Sequence, residues 1–188
     1  MKGASDALGF SPVRLFAPAK MKGMKTIETV TIVDSRDQVA GAAPRAEMRR
    51  RGLIHRVNYI LVFNAAGEIL AQRRTMQKDL YPGLVDLAAG GVVLDGEDYA
   101  ESAARELREE LGVAPPLAAQ FDMWFEDAAR TPPNRSWGRV FSCVHEGPFT
   151  LQESEVASAE FMTVDAALSL AAGEVTPDSR QALLAHIL

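Results

Sequence analysis

The sequence predicts a single α+β domain in which strands outnumber helices. Three observations carry this expectation. A chain of 188 residues has room for one full core. β-type runs recur along most of its length, and sustained helical periodicity is confined to residues 98–111 and the C-terminal end. Neither an internal repeat nor a linker divides the chain. Residues 1–25, rich in Gly, Pro, Ala and Lys, read as a flexible tail, with Met21 and Met24 as alternative starts. The folded domain is expected over 26–188.

Each element follows from a local signal. TIETVTIVDSRDQVAG alternates apolar and polar residues and turns at Asp34–Asp37, which predicts a short strand and a polar turn. APRAEMRRRGLIH is basic and reads as a connection. HRVNYILVFN and AAGEILAQRR are two β-rich runs joined across Asn64–Gly67, the clearest strand signal in the chain. YPGLVDLAAGGVV turns at Pro82-Gly83 and continues as an extended apolar run into glycines.

From Asp98 to Leu111 the period becomes helical, with Ala100, Ala103, Ala104, Leu107 and Leu111 on one stripe and Gly112 at the C-terminal cap. Strands are predicted at Gln120–Phe125 and Trp137–His145, separated by the proline loop DAARTPPNRS. A strand at Glu160–Val164 precedes a helix at Asp165–Ala172. A last helix starts at Thr176-Pro177, with Thr as cap and Pro in the first turn.

The composition, 47% hydrophobic and 24% charged, is that of a soluble globular protein. A net charge of −5 argues against general nucleic-acid binding. The single cysteine, Cys143, forms no internal disulfide and no thiolate cage; it reads as buried filler. No apolar run reaches membrane-spanning length, and no signal-peptide core is visible. The expected location is the cytoplasm, without a membrane partner, and a homodimer is left open.

The chemistry concentrates in GGVVLDGEDYAESAARELREELGV, residues 90–113. Glu106, Glu109 and Glu110 fall at i, i+3 and i+4 on one helix face, with Glu106 and Glu110 roughly 6 Å apart along the axis. Three carboxylates sharing a face repel one another, so a cation should offset them. Oxygen-only donors suit a hard ion, Mg²⁺ or Mn²⁺, which keeps waters and also grips phosphates. Arg105 is expected to reach Glu101 and Glu109, one turn either way, and to position a ligand carboxylate.

The pattern Gly91, Glu97, Arg105-Glu106-Leu107-x-Glu109-Glu110-x-Gly112-Val113 resembles the Nudix box at every defined position. The resemblance implies the Nudix fold, a mixed β-sheet sandwiched between helices (α/β/α), with residues 26–188 as the hydrolase domain. It implies Mg²⁺-dependent cleavage of a diphosphate bond in a nucleoside diphosphate-linked or similar small phosphorylated substrate. Glu106, Glu109 and Glu110 match the metal-ligand glutamates, and the Gly90 carbonyl a further metal contact. Glu106, Glu109 and Arg105 form the implied catalytic set, while Gly91, Glu97 and Gly112 shape the box. A Nudix-fold binding module without turnover is the alternative; it is disfavoured because every box acid is present.

A wider stretch, residues 28–165, resembles the isopentenyl-diphosphate-isomerase-like branch, and within it the YfcD-type hydrolases. Arg74 and Lys78 match diphosphate-binding positions of the isomerases, and Arg56 from the same stretch is a third candidate substrate cation. The isomerases' catalytic cysteine is replaced by Gly90, one metal histidine by Val92, and their acidic pair falls near Trp137 and Arg139. Isomerase activity is therefore not expected. His55 reads as a strand-edge histidine or a substrate contact. Glu155 is a candidate additional acid. Arg49–Arg51 could meet phosphate or form a solvated basic turn. Trp124, Phe125 and Trp137 read as core before base-stacking groups.

Overall fold

The computed structural model describes residues 27–188, so the expected tail at 1–25 lies outside the described residues. Its centre is β3 (His55–Phe63), a run whose alternate residues enter two different cores. Tyr59 and Leu61 join one apolar cluster. Ile60 and Val62 join another. Two-sided burial of this kind requires cover on both faces of a sheet.

The sheet is mixed and eight-stranded. β1 (Thr29–Val33) and β2 (Val39–Pro44) form an antiparallel hairpin at one edge. β3 lies between β1 and β4 (Ile69–Arg74), antiparallel to both. It also runs parallel to β7 (Asn134–Val144) over its whole length. β6 (Ala118–Asp127) pairs with β7, while β5 (Val85–Asp86) and β8 (Val156–Met162) pair with β4. α2 (Tyr99–Leu111) covers one face through Ala103, Leu107 and Leu111. α3 (Val164–Ser169) and α4 (Pro177–Ile187) cover the other through Ala167, Ala182 and Leu183. The result is the expected α/β/α sandwich.

The departures are local. The basic connection after β2 is a helix, α1 (Arg45–Arg51), closed by Gly52 in the left-handed conformation at φ 61°. Its one buried residue, Met48, is 1% exposed. A single apolar anchor leaves no periodicity to read. On α2 the buried stripe is Tyr99, Ser102, Ala103, Leu107, Glu110 and Leu111, and Ala100 faces solvent. The Asp98–Glu101 capping box fixes that start. β8 begins and α3 ends earlier than predicted, with Thr163 capping α3. Thr176 sits at the N-cap of α4, but its hydroxyl bonds Asp86 and Ser179 instead of the helix backbone.

Candidate active site

The extended run after β5 lies antiparallel against β3, with bridges Ile60–Ala89 and Val57–Val92. Between them the chain passes very close to β3 and α2. Asn58 N–H donates to the Gly91 carbonyl at 2.9 Å. Gly91 N–H donates to Asn58 Oδ1 at 3.3 Å. A Cβ at Gly90 would stand 2.3 Å from the Asn58 carbonyl oxygen, and one at Gly91 would stand 2.6 Å from Glu106 Oε1. The two glycines therefore let the loop descend onto the carboxylate face of α2.

On that face Arg105 is the hub. Its Nε and one terminal nitrogen donate to both oxygens of Glu97 at 2.7 and 2.9 Å, a bidentate clamp across eight residues. The other terminal nitrogen donates to Glu106 at 2.8 Å and to Glu109 at 3.1 Å. The expected reach to Glu101 is absent, because that carboxylate accepts from Asp98 N–H in the capping box. Glu97 also accepts from Leu94 N–H, fixing the loop that leads into the helix. The Arg105 hydrogen bond holds the Glu97 carboxyl below its ordinary range, with burial opposing.

Glu110 points inward, 7% exposed, and accepts from Gly90 N–H at 3.1 Å. Burial and then the neighbouring Glu106 push its pKa up to about 8. Glu106 is raised as well, by burial first, with Arg105 opposing. Glu109 has half its side chain in solvent. Among the described residues no three acidic, His or Cys groups already converge on one point. The donors nevertheless fit a hard divalent ion. Both carboxylates are raised by burial, Glu110 further by Glu106 and Glu106 further by Glu109, and the set is all oxygen. The Gly90 carbonyl belongs to the same loop.

The recess beside these acids is also lined by Arg45, Lys78 and Glu155, so the additional acid and one of the expected cations reach it. Lys78 and Glu155 form an ion pair there. Arg74 lines the adjoining cleft, but it is bound to Asp86 at 2.7 Å and to the Leu80 carbonyl. The expected Arg74–Lys78 clamp is thus two cations each held by an internal acid. Arg56 is further from expectation. It bonds the side chain and carbonyl of Asp37, each at 2.7 Å, and stacks on Tyr99. It holds the β1–β2 turn, where Asp37 adopts φ 59°.

Sequence reasoning left Arg49 open between phosphate contact and solvated turn, and gave Arg45 no role; α1 turns both toward the cleft. Arg50 and Arg51 stay on the exposed face beside Glu47. His55 is buried and neutral, its pKa lowered to about 3 by burial and then by Arg49. It lines both the cleft and a cavity of about 390 Å³ beyond it. The buried Cys143 belongs to the core under α2. Trp124 and Trp137 pack edge to face across β6 and β7, and neither lines the cleft. Phe125 is core.

Comparison with known proteins identifies the family. The NUDIX domain family matches residues 53–184. An uncharacterized Nudix hydrolase of Pseudomonas aeruginosa is 47% identical over 161 residues, covering 85% of this chain and 94% of the relative. The uncharacterized Nudix hydrolase YfcD of Escherichia coli K12 is 43% identical over 165 residues, covering 87% and 89%. The crystal structure of DR0079 from Deinococcus radiodurans superimposes with a TM-score of 0.74 at 26% identity, covering 86% of this chain and all of that one. The chain belongs to the Nudix hydrolase family, pyrophosphohydrolases that act on phosphorus-containing acid anhydrides.

Proposed function

We propose that this protein is a Mg²⁺-dependent (or Mn²⁺-dependent) hydrolase, working in the cytoplasm on the diphosphate bond of a small nucleoside diphosphate-linked substrate. The observation that carries the reading is the recess itself: desolvated Glu106 and Glu110 beneath a Gly-Gly loop, with Arg45 and Lys78 on its rim. Anionic floor and cationic rim suit a cation–diphosphate pair better than either ion alone.

Glu106, Glu110 and the Gly90 carbonyl would hold the ion, with Glu109 beside them. When bound, the ion supplies charge neutralisation at the phosphoryl oxygens. Arg105 sets the spacing of Glu106 and Glu109, because one of its nitrogens serves both. Glu109, the exposed member, takes a proton from the attacking water. The water oxygen forms a new bond to phosphorus as the bridging P–O bond breaks, and the leaving phosphate departs with the bond's electrons. Lys78 and Arg45 stand where phosphate oxygens would gain charge.

Phosphate or nucleotide release is to be measured with Mg²⁺ over nucleoside di- and triphosphates, nucleotide sugars, dinucleotides, coenzyme A and prenyl diphosphates. Cleavage of at least one nucleoside-bearing anhydride, abolished by chelator, is the expected result. Turnover of none of them, or undiminished turnover in chelator, would overturn the proposal.

A further inference from the structure

The cleft does not end at the box. Arg45 and Lys78 line both the carboxylate recess and the central cleft. Arg49, His55, Asp79 and Asn134 line both the central cleft and the 390 Å³ cavity. The three spaces therefore adjoin one another in series, and α1 runs beside them with Arg45 and Arg49 four residues apart on the same face. The cavity volume falls within the range of about 300–1,000 Å³ usual for small-ligand sites.

Arg49 and Arg74 each leave a buried Nε along this series without a hydrogen bond among the described residues. Arg74 is held at 2.7 Å by Asp86, whereas among those residues no carboxylate lies that close to Arg49. Arg49 donates to Asn134 Oδ1 at 2.8 Å, and its Nε lies 3.5 Å from Asp79. Burial pulls its pKa below the ordinary arginine range; Asp79 offsets part of this, and Arg45 adds to it. A guanidinium so desolvated is short of negative charge. Arg74, by contrast, has its pKa raised: burial lowers it, and Asp86 together with Asp178 and Glu110 more than offsets that.

We propose that Arg49, with Arg45, holds the phosphate of the substrate diphosphate farther from Glu106, and that the cavity beyond takes a polar, hydrogen-bonding substituent of that phosphate. This rests on the hydrolase reading above and adds the residues that hold the substrate. The cavity wall argues for a polar occupant. Asp79, Arg130, Asn134 and the neutral imidazole of His55 stand among Leu53 and Pro132. A prenyl chain would desolvate those polar groups without replacing their bonds, whereas a heterocycle or sugar offers partners. Gly52 sets the wall: a Cβ there would meet Pro132 Cβ at 2.8 Å, so α1 and the proline loop are in direct contact.

The test is calorimetric binding, with Mg²⁺, of methylene-bridged ADP, which the enzyme cannot turn over, and of geranyl diphosphate to a chain inactivated by Glu109→Gln. The nucleotide analogue is expected to bind more tightly than the prenyl compound. Arg49→Gln in that background should weaken the analogue about ten- to a hundredfold. Arg49→Lys should recover part of the loss, and Arg73→Gln, outside the cleft, should change nothing. Mg²⁺ affinity and thermal melting should match between Arg49→Gln and its parent, separating phosphate contact from misfolding. Unchanged analogue affinity in Arg49→Gln, or preference for geranyl diphosphate, overturns this inference and leaves the hydrolase reading standing. Failure of the parent to bind either compound also overturns this inference, while the hydrolase reading falls only if the release assay finds no substrate.

Discussion

Glu110→Gln tests the site most sharply, because the structure predicts opposite effects on stability and turnover. The side chain is buried, and its pKa rises from 4.5 to about 8 without metal. At pH 7 an unfolded chain has this group ionised, whereas the metal-free fold holds it protonated. The proton uptake costs about 3 kcal/mol, taking about 1.4 kcal/mol per unit over the interval from 4.5 to 7. The sign follows from the raised folded pKa. The metal-free fold is favoured below the unfolded value and loses stability as pH rises toward about 8. Glutamine keeps the volume, still accepts from Gly90 N–H and has no proton to take up. The variant should therefore gain nothing over wild type near pH 4 and a growing advantage toward pH 8. At neutral pH the gain should reach several degrees in melting temperature. In Mg²⁺ the same variant should lose about 10²- to 10⁴-fold in turnover, since a ligand to the ion is gone. The assays are melting curves against pH in chelator, and phosphate release with Mg²⁺ on any substrate the wild type cleaves. A pH-independent difference in melting would show that Glu110 is solvated. Full turnover would remove it from the site.

Chelation should stop hydrolysis while circular dichroism and melting cooperativity persist, because the two cores under the sheet are apolar; unfolding in chelator would make the ion structural. Gly91→Ala places a Cβ 2.6 Å from Glu106 Oε1, so Mg²⁺ affinity measured by calorimetry should fall at least about tenfold. Unchanged affinity would mean that the loop moves freely. Arg56→Ala should cost about 1–3 kcal/mol in denaturant melts through the loss of its Asp37 bonds. Its KM should stay at the wild-type value, and a raised KM would return Arg56 to the substrate set. Cys143→Ser should retain turnover, since the thiol lies in the core with its pKa pushed up to about 11 by burial. A loss above about tenfold with the fold intact would demand a thiol mechanism.

What could be read from the chain, and what could not, divides by sequence separation. The Glu106–Glu109–Glu110 face is set by helix geometry, so spacing alone locates it, whereas Glu97 as the brace for Arg105 is implied only by the box resemblance. Even there a local competitor was missed: Glu101 lies one turn from Arg105, but the cap needs its carboxylate. The cations failed differently. Arg74 reads as a substrate cation because it matches a diphosphate-binding position of the isomerases. Its partner Asp86 arrives only when β5 pairs with β4. Arg56 meets Asp37 only because β1 and β3 are neighbours. An arginine's role depends on which acids the topology brings to it, and that information resides in the sheet register. α1 shows the same limit at the level of an element. Its single anchor Met48 gives no pattern, so a seven-residue helix carrying two cleft-facing arginines reads as a basic connection. The cavity wall is assembled from α1, β3, the loop before β5 and the proline loop, four segments with no common sequence signal. The carboxylate end of the cleft is legible because it is local, while the proposed phosphate-holding end depends on long-range pairing.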